Sequence, residues 1–385
     1  MKNKSLTVIL ILLVIIAIHA VILYFVFKKD HKETPPVNPK ETSQAAEKKN
    51  AEAEKKTKKH ENPLFGKFFT YRNAVNGNIP ALPESKNATS GILVDLGTRN
   101  VLWAKNPRKA VPIASMTKMM TILLTIEAVD NGTITMDTPI KVTGASMKIG
   151  GSQVYLDPKE TFPLKELLKS VAIKSANDSA YLIAEYLGNG DVAMFVENMN
   201  KRARELKFPS TRFFNPHGLP EDNPEHDNVS SPEALAFLSE HLLEYPQVMQ
   251  WASTWSEPFR EKGNPHYQIM TNHNHLINEC PGVDGMKTGW IKRSGFCTTV
   301  TCKRAGKRLV AVVTGFQSRK ERDAFVKKLL DWGYRQNLKI SAGSSASAGK
   351  DDEPSAAASV AEPPAKTETK PVSKTTSKTA KKKKK

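Results

Sequence analysis

The sequence predicts an α+β fold, with an antiparallel sheet drawn from both ends of a globular stretch and a helical subdomain inserted between its two sets of strands. Three observations carry this expectation. "SGILVDLGTRNVLWAKN", Ser90 to Asn106, holds two β-branched and apolar runs around a polar "GTRN", the pattern of a hairpin. Helical periodicity dominates the middle of the chain, between Leu164 and Leu243. Strand patterns then return as "VDGMKTGW", "GFCTTVTCKR" and "KRLVAVVTGF", short segments separated by the turn-like "IKRS" and "RAGK", which read as a meander.

Taken in order, the chain opens with residues 1–5, a short tail, and then "LTVILILLVIIAIHAVILYFVF", Leu6 to Phe27. These 22 residues contain no Asp, Glu, Lys or Arg, and as a helix they would extend about 33 Å, enough to cross a bilayer. No small-x-small cleavage site follows, so the run reads as an uncleaved signal anchor and not as a removable signal peptide. Lys2 and Lys4 precede it while Lys28, Lys29 and Lys32 follow, and this charge count taken literally points the wrong way for export. Residues 28–61, rich in Lys, Glu, Ala and Pro, read as a charged linker that cannot build a core. Residues 62–340 form one domain of catalytic size, and residues 341–385 a disordered Ala- and Lys-rich basic tail ending in "KTAKKKKK".

Within the domain, the hairpin is followed by a helix from about Ser115 to Val129, ended by "DNG". "LKELLKSVAIKSANDSAYLIAEYL", Leu164 to Leu187, reads as two helices broken at "SAND", and further helices are expected at Val192 to Leu206 and Pro232 to Leu243. After the meander a last amphipathic helix runs from about Arg319 to Tyr334.

Composition narrows the function classes. The net charge is +18, but ten of those charges fall in residues 1–61 and 341–385. Basic tails of this kind suit anionic polymers or lipid headgroups, or remain simply solvated. No zinc-finger or RNA-binding signature accompanies the charge, and no GxGxxG or P-loop is present, so neither a nucleic-acid partner nor a nucleotide cofactor is expected. Cys280, Cys297 and Cys302 form no metal pattern and read as buried free thiols. His273 and His275 in "HNH" would share a face if they lay on a strand, but no third ligand is in sight and no metal site is expected. His217 in "NPHGL" reads as a loop-packing residue.

The residues that carry chemistry form an ordered set. Ser115 and Lys118 in "ASMTK" are three apart and should be neighbours on one face of a helix, where a hydroxyl beside an amine can serve as nucleophile and base. The spacing alone is cheap, since Ser347 and Lys350 repeat it in the tail. Ser175 and Asn177 lie in "KSANDSA" at the break between two helices, and Lys287, Thr288 and Gly289 form "KTG" on an expected strand. The set resembles the motifs of the low-molecular-mass penicillin-binding proteins, the serine D-alanyl-D-alanine carboxypeptidases. "AVPIASMTKMMT", "KSANDSA", "FFNPHGL", "TNHNHLI", "VDGMKTGW" and "KRLVAVVTGF" look like successive blocks of that family, over roughly residues 85–336.

The resemblance implies a β-lactamase/transpeptidase-like fold and an acyl-enzyme peptidase inhibited by β-lactam antibiotics. Ser115 would attack the bond between two terminal D-alanines of a peptidoglycan stem peptide, with Lys118 as its base. Ser175 would pass a proton to the leaving amine and Asn177 would orient the lysine or the substrate amide. Lys287 and Thr288 would hold the terminal carboxylate, Gly289 would let the strand approach the substrate, and the backbone N–H groups of Ser115 and Trp290 would hold the oxyanion. Many members carry a second, β-rich domain, whereas here the globular pattern stops near residue 340. A DD-endopeptidase that cuts cross-links is therefore the alternative enzyme. A class A β-lactamase would need Asp where Ala176 stands, and a non-catalytic envelope scaffold would be expected to lose Ser115, Lys118 or Lys287. If peptidoglycan is the substrate, the domain lies outside the cytoplasmic membrane with residues 1–5 inside, held by the N-terminal helix.

Overall fold

A computed structural model describes the backbone of residues 63–347 and the side chains as far as residue 336. In chain order its strands are β1 (Val75–Asn76), β2 (Ser90–Asp95), β3 (Val101–Lys105), β4 (Val111–Pro112), β5 (Pro139–Lys141), β6 (Thr161–Pro163), β7 (Val229–Ser230), β8 (Ser256–Phe259), β9 (Gln268–Thr271), β10 (Val283–Ile291), β11 (Gly295–Arg304) and β12 (Lys307–Phe316). The helices are α1 (Lys118–Asp130), α2 (Gly144–Met147), α3 (Leu164–Ile173), α4 (Asn177–Leu187), α5 (Val192–Glu205), α6 (Pro232–Leu243), α7 (Pro246–Ser253), α8 (Leu276–Glu279) and α9 (Arg319–Ser347).

The main sheet runs β1-β3-β2-β12-β11-β10. All neighbours are antiparallel except β1 and β3. The early hairpin joins the late meander where β2 meets β12, with Ile92 opposite Val312 and Val94 opposite Val310. All six β2 residues are buried, which explains an apolar run without alternation: both faces of this sheet are covered. Ile92, Val94, Val310 and Val312 belong to the core shared with the helical subdomain. On the opposite face, Trp103 meets Phe325 of α9 edge-on at 5.7 Å, and Gly333 packs so closely over Leu93 that a Cβ there would lie 2.5 Å from it. The helical block is held by its own stripe, Leu164, Leu167, Leu168 and Val171 of α3, all buried at helical spacing.

The sheet built from both ends and the inserted helices follow the expected plan, with four differences. Ser115 sits in a 3₁₀ turn, Ala114–Thr117, and the α-helix begins only at Lys118. The last helix continues past Tyr334 to Ser347 through a segment in which no proline intervenes. Three two-stranded pieces, β4-β7, β5-β6 and β8-β9, add to the expected plan, each with strands of four residues or fewer, too short to show as a periodic pattern.

The fourth difference concerns His273 and His275, which do not occupy alternate strand positions. The chain leaves β9 at Thr271 because Asn272 and Asn274 divert it: Asn272 donates to the carbonyls of Ala252 at 3.1 Å and Thr254 at 3.0 Å, and its Oδ1 accepts from the Asn274 N–H at 2.9 Å. His275 instead meets Trp255 edge-on at 5.1 Å. All three cysteines are buried and unbridged. Leu6–Phe27 lies outside the described residues, and among those described no helix is long and apolar enough to cross a membrane.

Candidate active site

Three segments converge on a cleft of about 570 Å³: the 3₁₀ turn before α1, the break between α3 and α4, and strand β10. The turn has an unusual entry. Ala114 takes φ +46°, a conformation that costs an L-residue roughly 1–2 kcal/mol, and it presents Ser115 half-buried at the cleft floor. Gly218, itself at φ +82°, packs against this turn so tightly that a Cβ would lie 1.9 Å from the Ala114 carbonyl oxygen. Opposite, a Cβ on Gly289 would lie 2.7 Å from the Ile113 carbonyl oxygen and 3.2 Å from the Ser115 nitrogen. Both glycines are needed because backbone stands where a side chain would begin.

Lys118 is fully buried. Its Nζ donates to Ser115 Oγ at 3.1 Å, to Asn177 Oδ1 at 2.6 Å and to the His217 carbonyl at 2.6 Å. Burial holds its pKa well below the usual lysine range, the nearby Lys287 cation lowers it further, and Asp178 opposes both. The expected neighbours are thus joined, although by a 3₁₀ turn, in which residues three apart eclipse, and not by an α-helix.

At the α3–α4 break Ser175 has φ +61°, and its buried Oγ has no hydrogen-bond partner. Asn177 is fixed on all sides: its N–H donates to the Ser152 carbonyl at 2.7 Å and its Nδ2 to the Gly150 carbonyl at 2.7 Å, while its Oδ1 accepts from Lys118. Asp178 behind it is buried and accepts from the backbone N–H groups of Val154, Leu156 and Ser179. Burial raises its pKa, against those donors. The start of α4 thereby stitches the 150–156 loop to the cleft wall.

On β10, Lys287 is buried and its Nζ donates to the Thr288 carbonyl at 3.1 Å. Burial, aided by the Arg322 cation, lowers its pKa to about 7. Thr288, Gly289 and Trp290 line the cleft, with the exposed Trp290 ring 5.7 Å from that of Phe296. Six of the eight residues picked out in the motifs line one cleft, and the two buried lysines stand behind them, Lys118 bonded to Ser115 and Asn177 and Lys287 to the Thr288 carbonyl.

Other residues could not be found from motifs. Arg322, buried on α9, also lines the cleft. It donates through Nη1 to the Cys297 carbonyl at 3.0 Å and through Nε to Asp323 at 2.8 Å, while Nη2, 2.7 Å from the same carboxylate oxygen, is off line for a second bond. Its sequence setting, "SRKERD", is an ordinary charged helix start. His217 joins through its carbonyl; burial and the Lys118 charge lower its imidazole pKa to about 3, so the ring is neutral near pH 7. His273 lines the cleft as well, and burial lowers its pKa to about 3.

Residues 77–318 match the model of the peptidase family described as D-alanyl-D-alanine carboxypeptidase. The chain belongs to that family. It is 38% identical over 249 residues to the D-alanyl-D-alanine carboxypeptidase DacF of Bacillus subtilis, covering 65% of this chain and 62% of the relative, and 30% identical to DacD of Escherichia coli, covering 67% and 66%. This chain thus spans somewhat less than two thirds of the length of these curated relatives. Among solved structures, penicillin-binding protein D2 of Listeria monocytogenes in its ampicillin-bound form superposes with a TM-score of 0.57 at 27% identity, covering 64% of this chain and 97% of that one. Penicillin-binding protein 5 of Haemophilus influenzae gives 0.60 at 29% identity, covering 65% and 71%. The family's penicillin-binding fold is the one expected from the motifs.

Proposed function

We propose that this protein is a penicillin-sensitive serine carboxypeptidase that removes the terminal D-alanine from peptidoglycan stem peptides. The observation that carries the proposal is the Lys118 ammonium site: an amine with a strongly lowered pKa, 3.1 Å from the hydroxyl of a half-buried serine. Neutral Lys118 takes the proton of Ser115 as Oγ attacks the carbonyl of the penultimate D-alanine. The Ser115 and Trp290 N–H groups stabilise the oxyanion. Collapse breaks the C–N bond, the proton passes through Ser175 to the departing amine, and D-alanine leaves. Water then adds to the acyl-enzyme, giving a proton to Lys118, and Lys118 passes that proton to Ser115 Oγ as the acyl C–O bond breaks, which restores the free serine and the neutral lysine. The partnerless Ser175 hydroxyl suits a shuttle, since it is not committed elsewhere.

Lys287, Thr288 and Arg322 hold the terminal carboxylate. A bound anion pushes the Lys287 pKa back up, so the lysine with a value of about 7 in the free cleft is charged when substrate is present. β-Lactams enter because their strained amide imitates the scissile bond. A fluorescent penicillin should label the protein covalently on Ser115, and Ser115→Ala should abolish labelling; a label mapped to another residue by peptide mass spectrometry rejects the nucleophile. Release of D-alanine from a defined pentapeptide, compared with cleavage of a cross-linked dimer, separates carboxypeptidase from endopeptidase.

The domain works outside the cytoplasmic membrane, anchored through Leu6–Phe27 with residues 1–5 inside. The length and uncharged character of that run support this reading, and the location of peptidoglycan sets its direction. The mature protein should begin at or near Met1 and resist high-salt extraction from membranes; an N-terminus mapped beyond residue 27 rejects the anchor.

A further inference from the structure

The cleft carries more positive charge than one terminal carboxylate needs. Among the described residues that line it, every charged side chain is a cation: Arg322, Arg319 and Lys292. Arg322 belongs with Lys287 at the terminal carboxylate, which leaves Arg319 and Lys292 over. Both are exposed, and neither has an ion-pair partner among the described residues. The neighbouring Arg293, by contrast, is tied to Asp227 at 2.5 Å.

Their position along the cleft gives these cations a meaning. Gly289 abuts the Ser115 nitrogen, so the scissile carbonyl lies beside it, with Lys287 at the carboxylate end. The upstream part of the peptide then runs the other way along β10, past Trp290. β10 ends at Ile291, two residues beyond Gly289 and about 7 Å along at ~3.3 Å per residue, and Lys292 opens the turn that follows. Arg319 arrives at the same end from α9, because β12 ends at Phe316, which pairs with Phe296, which in turn pairs with Trp290. Arg319 is also one turn from Arg322 and shares its face. An extended peptide places the residue before the D-alanyl-D-alanine pair about 3.5 Å upstream of the acyl residue, and a side chain of four or five atoms covers the remaining distance.

We infer that Lys292 and Arg319 form a second anion subsite that reads a side-chain carboxylate on the stem-peptide residue immediately before the D-alanyl-D-alanine pair, so that a diamino dicarboxylic acid is favoured there over lysine. The inference rests on the carboxypeptidase reading of the same cleft. A lysine side chain brings only an ammonium to a rim with two cations, which disfavours it. A diamino dicarboxylic side chain turns its carboxylate to the rim and its ammonium to water.

The test uses the full-length protein in detergent and three peptides ending in D-alanyl-D-alanine that differ only in the preceding residue: L-lysine, meso-diaminopimelate, and meso-diaminopimelate amidated on the side-chain carboxyl. Active sites are counted by penicillin labelling in each preparation. Two exposed ion pairs predict a kcat/KM preference of about fivefold to tenfold for the free diaminopimelate peptide over the other two, shrinking as salt is raised. Lys292→Ala with Arg319→Ala should bring that ratio close to one, and Lys292→Glu with Arg319→Glu should invert it in favour of lysine. A wild-type ratio near one, or a ratio unmoved in both double variants, overturns the subsite while leaving D-alanine release intact. If penicillin labels Ser115 but no peptide loses D-alanine, the carboxypeptidase reading falls and the subsite with it.

Discussion

Gly218→Ala probes whether the placement of Ser115, and not its mere presence, sets the acylation rate. A methyl at residue 218 would lie 1.9 Å from the Ala114 carbonyl oxygen, 2.4 Å from its carbon and 2.9 Å from the Ser115 nitrogen, against 3.4–4 Å for ordinary contact. The atoms in the way are backbone, so the Ala114–Ser115 peptide has to retreat by about 1.5 Å, enough to disturb both the 3.1 Å hydrogen bond from Lys118 and the aim of the Ser115 N–H. Misplacement on the scale of 1 Å costs on the order of 10²-fold in rate. The φ of +82° adds roughly 1–2 kcal/mol of backbone strain, and overpacking about 1–3 kcal/mol more. Gly132→Ala is the matched control: its φ is +78°, but no atom lies within 4 Å of the added carbon, so it carries strain without displacement. The assay is the second-order rate constant for labelling by a fluorescent penicillin, alongside urea unfolding. Gly132→Ala should lose roughly 1–2 kcal/mol of stability with little change in labelling, and Gly218→Ala should label about a hundredfold more slowly. A Gly218→Ala rate within about threefold of wild type refutes the argument, as does an equal loss in the control.

Lys287→Ala removes a cation that lowers the Lys118 pKa, so Lys118 should hold its proton to higher pH and the acid limb of the acylation profile should move upward. A peptide amidated at its terminal carboxyl should lose less from this substitution than the free acid, and an unchanged ratio of the two rejects carboxylate recognition by Lys287. Asp178→Asn should move the acid limb the other way, because Asp178 raises the Lys118 pKa. It should also lower stability by roughly 1.5–3 kcal/mol, the worth of hydrogen bonds to a charged acceptor, as read from urea midpoints. Deleting residues 348–385, which are low-complexity sequence beyond the end of α9, should leave kcat and KM for D-alanine release unchanged in a steady-state assay.

What could be seen in the sequence was whatever local periodicity or a side-chain motif encodes. β10 to β12 announce themselves by apolar runs between turn residues, and α3 and α4 by a buried stripe interrupted at Ser175. What stayed hidden depends on distant backbone. The His217 carbonyl that completes the Lys118 cradle has no residue signature, because any residue supplies a carbonyl. Arg322 is one of several cations at the start of a helix, and only folding shows which of them turns into the cleft. The 3₁₀ form of the Ser115 turn depends on Ala114 being held at φ +46° by packing, which local propensity would oppose. The alternation in "HNH" forms no strand, because the side chains of Asn272 and Asn274 bend the chain away, and local pattern does not show bonds to such distant backbone.

The pairing of β2 with β12 decides when the cleft can first form. Ser90 bonds to Thr314, 224 residues away. Ser115 and Lys118 likewise need strand β10 beside them before there is a cleft to line. At about 5–20 residues per second of synthesis, the nucleophile is made many seconds before its partners exist. The early hairpin waits with an open edge until the last strand arrives, a topology of high contact order that folds slowly. Any chain stopped short of Phe316 would carry the serine motif intact without the complete sheet that sets β10 beside it, so the cleft cannot appear in a half-made molecule.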